Sequence, residues 1–138
     1  MATQLYNHFK TNLCSGNINL GTANIMLMLV SGAYTFSHSH ANTGSITAQV
    51  SSPNYTPGGK KIDNTSIKID SVDNEAVLSG SPVTFSTITC SPSYGIVYVS
   101  GATTATSYLI GQLDFGAQTV TAADFTVNWN TEGIFNLL

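Results

Sequence analysis

Two histidines separated by one serine are the most metal-like feature of the chain. In His38-Ser39-His40 the imidazoles of an extended segment would point the same way and could share one ion. A zinc centre needs three or four protein ligands, and only His8, Cys14, Cys90 and dispersed carboxylates remain to complete it. The pair is therefore read as solvated or as part of an interface, and no metal is expected. Asp70, Asp73 and Glu75 fall together in Asp-Ser-Val-Asp-Asn-Glu and offer the hard oxygens that calcium takes. Their spacing lacks the alternating ligands, central glycine and terminal bidentate glutamate of an EF-hand loop, so the segment is read as a turn between strands.

Covalent chemistry finds even less support. Serines are abundant, but none sits in a Gly-x-Ser-x-Gly elbow, and neither cysteine has an identifiable activating neighbour. Three histidines confined to the first 40 residues form no specific constellation, seven carboxylates are a thin supply for paired acids, and no glycine loop cradles phosphate. The expectation is a protein that is not an enzyme and needs no cofactor. Trp129 could stack on a sugar, yet its alternation with Phe125 and Val127 places it in the core.

Charge narrows the partners. Charged residues make up only 8% of the 138-residue chain, the net charge is -3, and the cations are four lysines with no arginine. A nucleic-acid groove, which relies on clustered cations and the guanidinium fork, is not expected. The dyad Lys60-Lys61 reads as a solvated loop. Ser and Thr together supply roughly 25% of the residues, a surface of hydroxyls and amides suited to packing against other protein. Two cysteines exclude a disulfide-rich scaffold, although one bridge between Cys14 and Cys90 stays open. The opening Met-Ala-Thr-Gln-Leu-Tyr-Asn-His-Phe-Lys has no basic region before an apolar core, so no secretory signal is read there. The longest apolar run, Ile25 to Val30, is about a third of the ~18 residues that would suggest a membrane span, and no membrane partner is expected.

These side chains need elements to hold them, and the length suits one domain over residues 1–138. Leu5, Phe9 and Leu13 recur every four residues between Thr3 and Cys14, and Ser15-Gly16 supplies a stop. This predicts a short amphipathic helix, or an arm, within residues 1–16, which must dock its apolar face to be stable. From Ile25 onward the period changes to that of strands. Ile25 to Val30 reads as a strand covered on both faces. Tyr34, Phe36, His38 and His40 alternate with Thr35, Ser37 and Ser39, predicting an extended edge with aromatics and histidines on one face. Residues 42–63 form the main loop region, punctuated by Pro53, Pro57 and Gly58-Gly59, with a short strand at Ile46 to Val50.

The second half carries turn signals about every ten residues, as a sandwich or barrel does. Strands are expected around Ile67 and Ile69, at Ala76 to Leu78, and at Val83, Phe85 and Thr87. Gly95 to Ser100 reads as a central strand, and Tyr108 to Phe115 follows with Leu109, Leu113 and Phe115 on one face. Phe125, Val127 and Trp129 alternate with Thr126, Asn128 and Asn130, and Ile134 to Leu138 closes the set. The fold class expected is all-β, an antiparallel, jelly-roll-like β-sandwich with a short N-terminal helix or arm.

The order of these segments resembles small tailed-bacteriophage virion proteins of the head-decoration, head-fibre and auxiliary capsid kind. The resemblance runs end to end. It starts at Leu-Tyr-Asn-His-Phe-Lys and the Ile25 to Val30 strand leading into Gly32-Ala33-Tyr34-Thr35, and continues through Tyr55-Thr56-Pro57-Gly58-Gly59-Lys60 and Tyr94-Gly95-Ile96-Val97-Tyr98-Val99. It is most specific at Leu109-Ile110-Gly111-Gln112-Leu113-Asp114-Phe115-Gly116, Phe125-Thr126-Val127-Asn128-Trp129-Asn130 and Glu132-Gly133-Ile134-Phe135. It implies a subunit that folds in the host cytoplasm and joins the virion at the capsid surface. Its partners would be the major capsid protein and further copies of itself, as a trimer at local three-fold positions. A fibre module that binds host glycan or surface protein is the other role it implies. Contacts with the capsid or between subunits are then expected at Leu5, Phe9, Tyr34, Phe36, His38, His40 and Tyr55.

Overall fold

The computed structural model describes residues 2–129 and 131–137. Ten strands and one α-helix follow one another as β1 (Ala2–Leu5), α1 (Asn7–Cys14), β2 (Ile25–Val30), β3 (Lys60–Lys61), β4 (Ser66–Asp70), β5 (Glu75–Ser79), β6 (Val83–Cys90), β7 (Tyr94–Val99), β8 (Leu109–Asp114), β9 (Val120–Val127) and β10 (Phe135–Leu137). The protein is mostly β, and every strand pairing is antiparallel. The strands form a five-stranded sheet in the order β1-β8-β7-β2-β3, a three-stranded sheet β10-β5-β4 and the pair β6-β9. Among the described residues no helix is long and apolar enough to cross a membrane.

The continuous apolar runs become the middle of the large sheet. β7 lies between β2 and β8, and Leu27, Leu29, Ile96, Val97 and Leu113 are buried there, as expected of strands covered on both faces. One cluster of buried side chains joins this sheet to Leu78 and Phe135 of the small sheet and to Val83, Phe85, Ile88 and Val127 of the pair.

Alternation along β6 changes phase within the strand. Val83 and Phe85 are buried, Thr87 is exposed, and Ile88 returns to the core. Thr87 has φ of 51°, and its register shift against β9 is a bulge that turns the following side chain inward. Thr87 was expected to share the face of Val83 and Phe85, which the bulge prevents. On β9 the alternation holds only at the end of the strand, with Val127 buried, Phe125 half-buried and Thr126 exposed; Ala123 is exposed and Val120 is buried, because a second register shift, with Ala122 at φ of 44°, changes the phase between them. Trp129 lies past the strand end, half-buried against the core, and its indole donates to the Ser81 carbonyl at 2.9 Å. Asn130 and Leu138, which complete two of the sequence patterns, lie outside the described residues.

Four local expectations are corrected. The helix begins at Asn7, because residues 2–5 pair as a strand with β8. A ladder along an open sheet edge satisfies more backbone groups than one extra helical turn would. The docking requirement is met: Phe9 is fully buried and packs edge-on against Phe135 with centroids 5.2 Å apart. Residues 34–40 form no strand. Turns with hydrogen bonds from Tyr34 N to Ser31 O and from His40 N to Ser37 O fold them, assisted by the Ser31 and Ser37 hydroxyls. Short hydroxyl side chains compete with a strand ladder in this way. Ile46 to Val50 makes only an isolated bridge from Gln49 to Val30. Lys60 and Lys61, read as loop, are the edge strand β3 with exposed side chains, a position where lysine discourages further pairing.

Candidate functional site

Seven side chains were singled out from sequence as contacts, and the fold divides them. Phe9, Tyr34 and Tyr55 lie in the core, at most 5% exposed, and offer little surface to a partner. Leu5, Phe36 and His40 are half-buried and His38 is exposed. Five aromatic rings meet here: Tyr6 on Phe36 at 4.8 Å, Phe36 on His38 at 4.8 Å, and Tyr34 on His40 at 5.8 Å. Inside the cluster the Tyr34 hydroxyl touches Tyr6 Oη at 2.9 Å and His40 Nδ1 at 2.8 Å. His40 is thus oriented by a core hydrogen bond, and the two imidazoles do not share a strand face. Burial pushes the Tyr6 phenol far up from its ordinary value, helped by the hydrogen bond to Tyr34 and by that residue's charge. Desolvation raises Tyr34 as well, against an opposing contribution from the hydrogen bond to Tyr6.

Tyr55 has a different task. Its hydroxyl accepts from Leu29 N at 3.1 Å and donates to Gln49 Oε1 at 3.0 Å, and the same Gln49 oxygen accepts from Gly58 N at 2.6 Å. The long loop is therefore tied to the end of β2, and the ring packs on Phe85 at 5.7 Å. Burial raises the phenol to about 12, against the hydrogen bond from Leu29 and with smaller charge effects from Tyr98 and Cys90. Both cysteines are free thiols, Cys14 exposed and Cys90 half-buried, and burial pushes the Cys90 thiol up.

The large apolar surface lies elsewhere. β4 is an outer strand of its sheet, and it presents Ile67 at 51% and Ile69 at 87% exposure, with Val72 at 85% in the turn that follows. In register, Ile67 faces Leu78 and Ile69 faces Ala76. The inner face of the small sheet is thus buried at Leu78 and Phe135 and runs outward past the body at Ile69. An edge strand with free backbone groups and exposed branched side chains is a template for pairing. Sequence reading placed a strand here and missed its exposure. The alternation of Ile67 and Ile69 with Lys68 and Asp70 was the available signal, but it does not tell which face finds a neighbour.

An open depression of ≈ 480 Å³ lies beside the β6 bulge, lined by Asn54, Thr56, Lys60, Phe85, Ser86 and Thr87. Asn54 Nδ2 donates to Thr87 O at 2.9 Å and Lys60 Nζ to Thr84 O at 2.7 Å, so the rim is held in place by the long loop. No family model, curated protein or solved structure matches this chain.

Proposed function

We propose that this chain is a structural protein of a tailed-bacteriophage virion, a decoration or cement protein that binds the outer surface of the head. Its partners are then the major capsid protein and further copies of the chain, as a homotrimer, and its three antiparallel sheets form a jelly-roll-like sandwich. The observation that supports this reading best is the apolar free edge at Ile67, Ile69 and Val72, since a long exposed edge is normally covered by a protein surface. The charge-poor, hydroxyl-rich composition adds to it. Such surfaces can be buried between subunits without stranding many ions. No turnover is needed in this role. A protein that binds the assembled shell better than its loose subunits stabilises the shell by mass action.

The depression at Asn54, Thr56, Lys60, Ser86 and Thr87 favours a second reading, a head- or tail-fibre module that binds host glycan. Its amide, hydroxyl and ammonium groups suit sugar hydroxyls. Copy number relative to the major capsid protein in purified virions separates the two, by quantitative mass spectrometry or by reconstruction of the particle. Hundreds of ordered copies are the result expected of a decoration protein, a handful would move the assignment to a fibre, and none would remove the virion reading.

A further inference from the structure

β4 is exposed along its length apart from a half-buried Asp70, whereas most of its partner β5 is buried. Ile67 and Ile69 stand on one face of the strand, and Lys68 and Asp70 on the other. Because β4 ends its sheet, one backbone edge is open as well. Proteins guard such an edge with like charges, proline or a bulge. β3, which ends the large sheet, follows that rule: Lys60 and Lys61 are its only residues, so a second copy paired along it would set cation against cation. β4 has no such guard. It contains no proline, its register with β5 is unbroken, and its one cation is followed two residues later by an anion.

That spacing makes the strand complementary to itself. Two copies related by a two-fold axis perpendicular to the sheet pair antiparallel, with the axis through one residue of β4 and opposite side chains on the same face. An axis through Ile69 sets Lys68 opposite Asp70 of the second copy, and Asp70 opposite Lys68 of the second copy. On the other face Ile69 then meets its own copy, and Ile67 lies opposite Ser71. An axis through Lys68 would oppose two ammonium groups, and one through Asp70 two carboxylates, which is destabilising. An axis through Ile67 leaves Lys68 opposite Ser66 and Asp70 beyond the end of the paired strand. Only the register centred on Ile69 pairs both charges. The chain itself does not pair them across its own sheet: Lys68 faces Val77, and Asp70 faces Glu75, a like charge. The Asp70 carboxylate is held in position at the strand end, its Oδ1 accepting from Val72 N at 2.9 Å and from Asp73 N at 3.3 Å.

We propose that the β4 edge is a self-association surface, on which β4 of a second copy pairs antiparallel about a two-fold axis at Ile69. The two small sheets then become one six-stranded sheet in the order β10-β5-β4-β4-β5-β10. Backbone hydrogen bonds between the open edges supply the attraction, the Ile69 pair covers apolar surface, and the two Lys68–Asp70 pairs fix the register. Charge complementarity is what selects a second copy as the occupant, rather than the capsid protein. One five-residue strand from each side makes a small contact, so the association is weak between free chains and strengthens where copies are held close together. A two-fold contact cannot close a trimer. In the virion reading it joins chains of neighbouring trimers, and without that reading it makes a plain dimer, so the proposal does not depend on the chain's place in a particle.

The test places single cysteines on the full chain after Cys14→Ser and Cys90→Ser, with circular dichroism to show that each variant is folded. Ile69 is 87% exposed, so Ile69→Cys should leave the fold intact. Residues directly opposite in an antiparallel pair have Cα atoms about 4.5–5.5 Å apart, within disulfide reach. Under mild oxidation with diamide, Ile69→Cys should therefore form a covalent dimer. Ile67→Cys and Ser71→Cys should each stay monomeric alone, since each lies about 13 Å along the strands from its own copy, and should link to one another when mixed. Lys68→Glu, combined with Ile69→Cys, should lower the dimer yield at least tenfold, while Lys68→Arg keeps it. No Ile69→Cys dimer at up to about 1 mM chain, a very weak affinity for a specific contact, would overturn the self-pairing and leave the edge to a different protein. Equal yields from Ile67→Cys alone, or a yield that survives Lys68→Glu, would overturn the register and the charge argument behind it. Copy number in virions decides the virion reading separately, and its failure would leave these crosslinks unchanged.

Discussion

The phenol oxygens of Tyr6 and Tyr34, 28 residues apart, meet at 2.9 Å inside the core. Tyr34 passes the contact on to His40 Nδ1 at 2.8 Å, so one side chain satisfies the start of the helix and the end of the 34–40 loop. Removing the Tyr34 hydroxyl leaves the Tyr6 oxygen buried without its partner. Tyr34→Phe should therefore cost about 1–3 kcal/mol, and Tyr6→Phe with Tyr34→Phe should cost less than the sum of the two single changes. Urea unfolding of the four proteins in the cycle gives the coupling, and strict additivity would show that the pair contributes nothing jointly.

High pH should unfold the protein through its buried phenols. Tyr55 is raised from 10.0 to about 12, and Tyr6, Tyr34 and Tyr98 are raised as well. Above pH 10.0 the unfolded chain releases protons that the folded chain keeps, so stability is whole below that pH and falls as it rises through about 12 for Tyr55. Denaturant midpoints measured across this window should decline, and Tyr55→Phe should make the decline shallower. An unchanged slope in that variant would assign the effect to other groups.

Gly59 immediately precedes β3 and lies against the backbone of β2 at Leu27. Its φ is +81°, and a side-chain carbon there would overlap the Leu27 carbonyl. Gly16 has the same φ of +81° but open space around it. Gly16→Ala should lose about 1–2 kcal/mol from left-handed strain alone, and Gly59→Ala clearly more, because the overlap is with backbone. Thermal unfolding of both variants isolates the cost of the close approach.

Thr87 carries the opposite kind of strain, a β-branched residue at φ 51° where such side chains are outliers. The bulge is held by Thr87 N donating to Asp124 Oδ1 at 2.9 Å. Thr87→Gly keeps that hydrogen bond and removes the strain, and should stabilise the protein by up to about 1 kcal/mol. Asp124→Ala should destabilise by about 1 kcal/mol through the freed N–H. A loss of stability in Thr87→Gly would show that the threonine side chain itself stabilises the bulge.

Ile69 is 87% exposed, so Ile69→Asp should change the stability of the isolated chain by no more than about 0.5 kcal/mol. Its occupancy on phage particles, or its self-association by sedimentation, should fall sharply if the β4 edge is the contact. Tyr34→Ala cannot serve the same purpose, because the residue is 3% exposed and its loss damages the core. Phe36 and His38, at the surface of the aromatic cluster, are the variants that test that face. Normal assembly of Ile69→Asp would exclude the β4 edge.

Local pattern carried much of this fold. The continuous runs Ile25–Val30 and Tyr94–Val99 are neighbouring strands in the middle of the large sheet, as their apolarity on both faces requires. The Ser15-Gly16 stop ends the helix, with Gly16 in the left-handed region. Where the pattern misled, a non-local partner or a side-chain hydrogen bond won. Residues 2–5 have helical spacing but pair with β8 from the far half of the chain. Tyr34 to His40 has strand alternation but is bent by serine hydroxyls.

By itself the sequence determined a mostly β, charge-poor chain with its strands near their observed places, because alternation and apolar runs act over a few residues and leave their trace in order. Tertiary structure alone decided which of those strands ends its sheet with its apolar side chains uncovered. Ile67 and Ile69 look like core residues in sequence, and they are exposed because β4 ends its sheet. It also decided which acid is buried: Glu75 is enclosed beside Asn136, 61 residues away. Burial is set by what packs across a sheet from distant parts of the chain, and no local period encodes that.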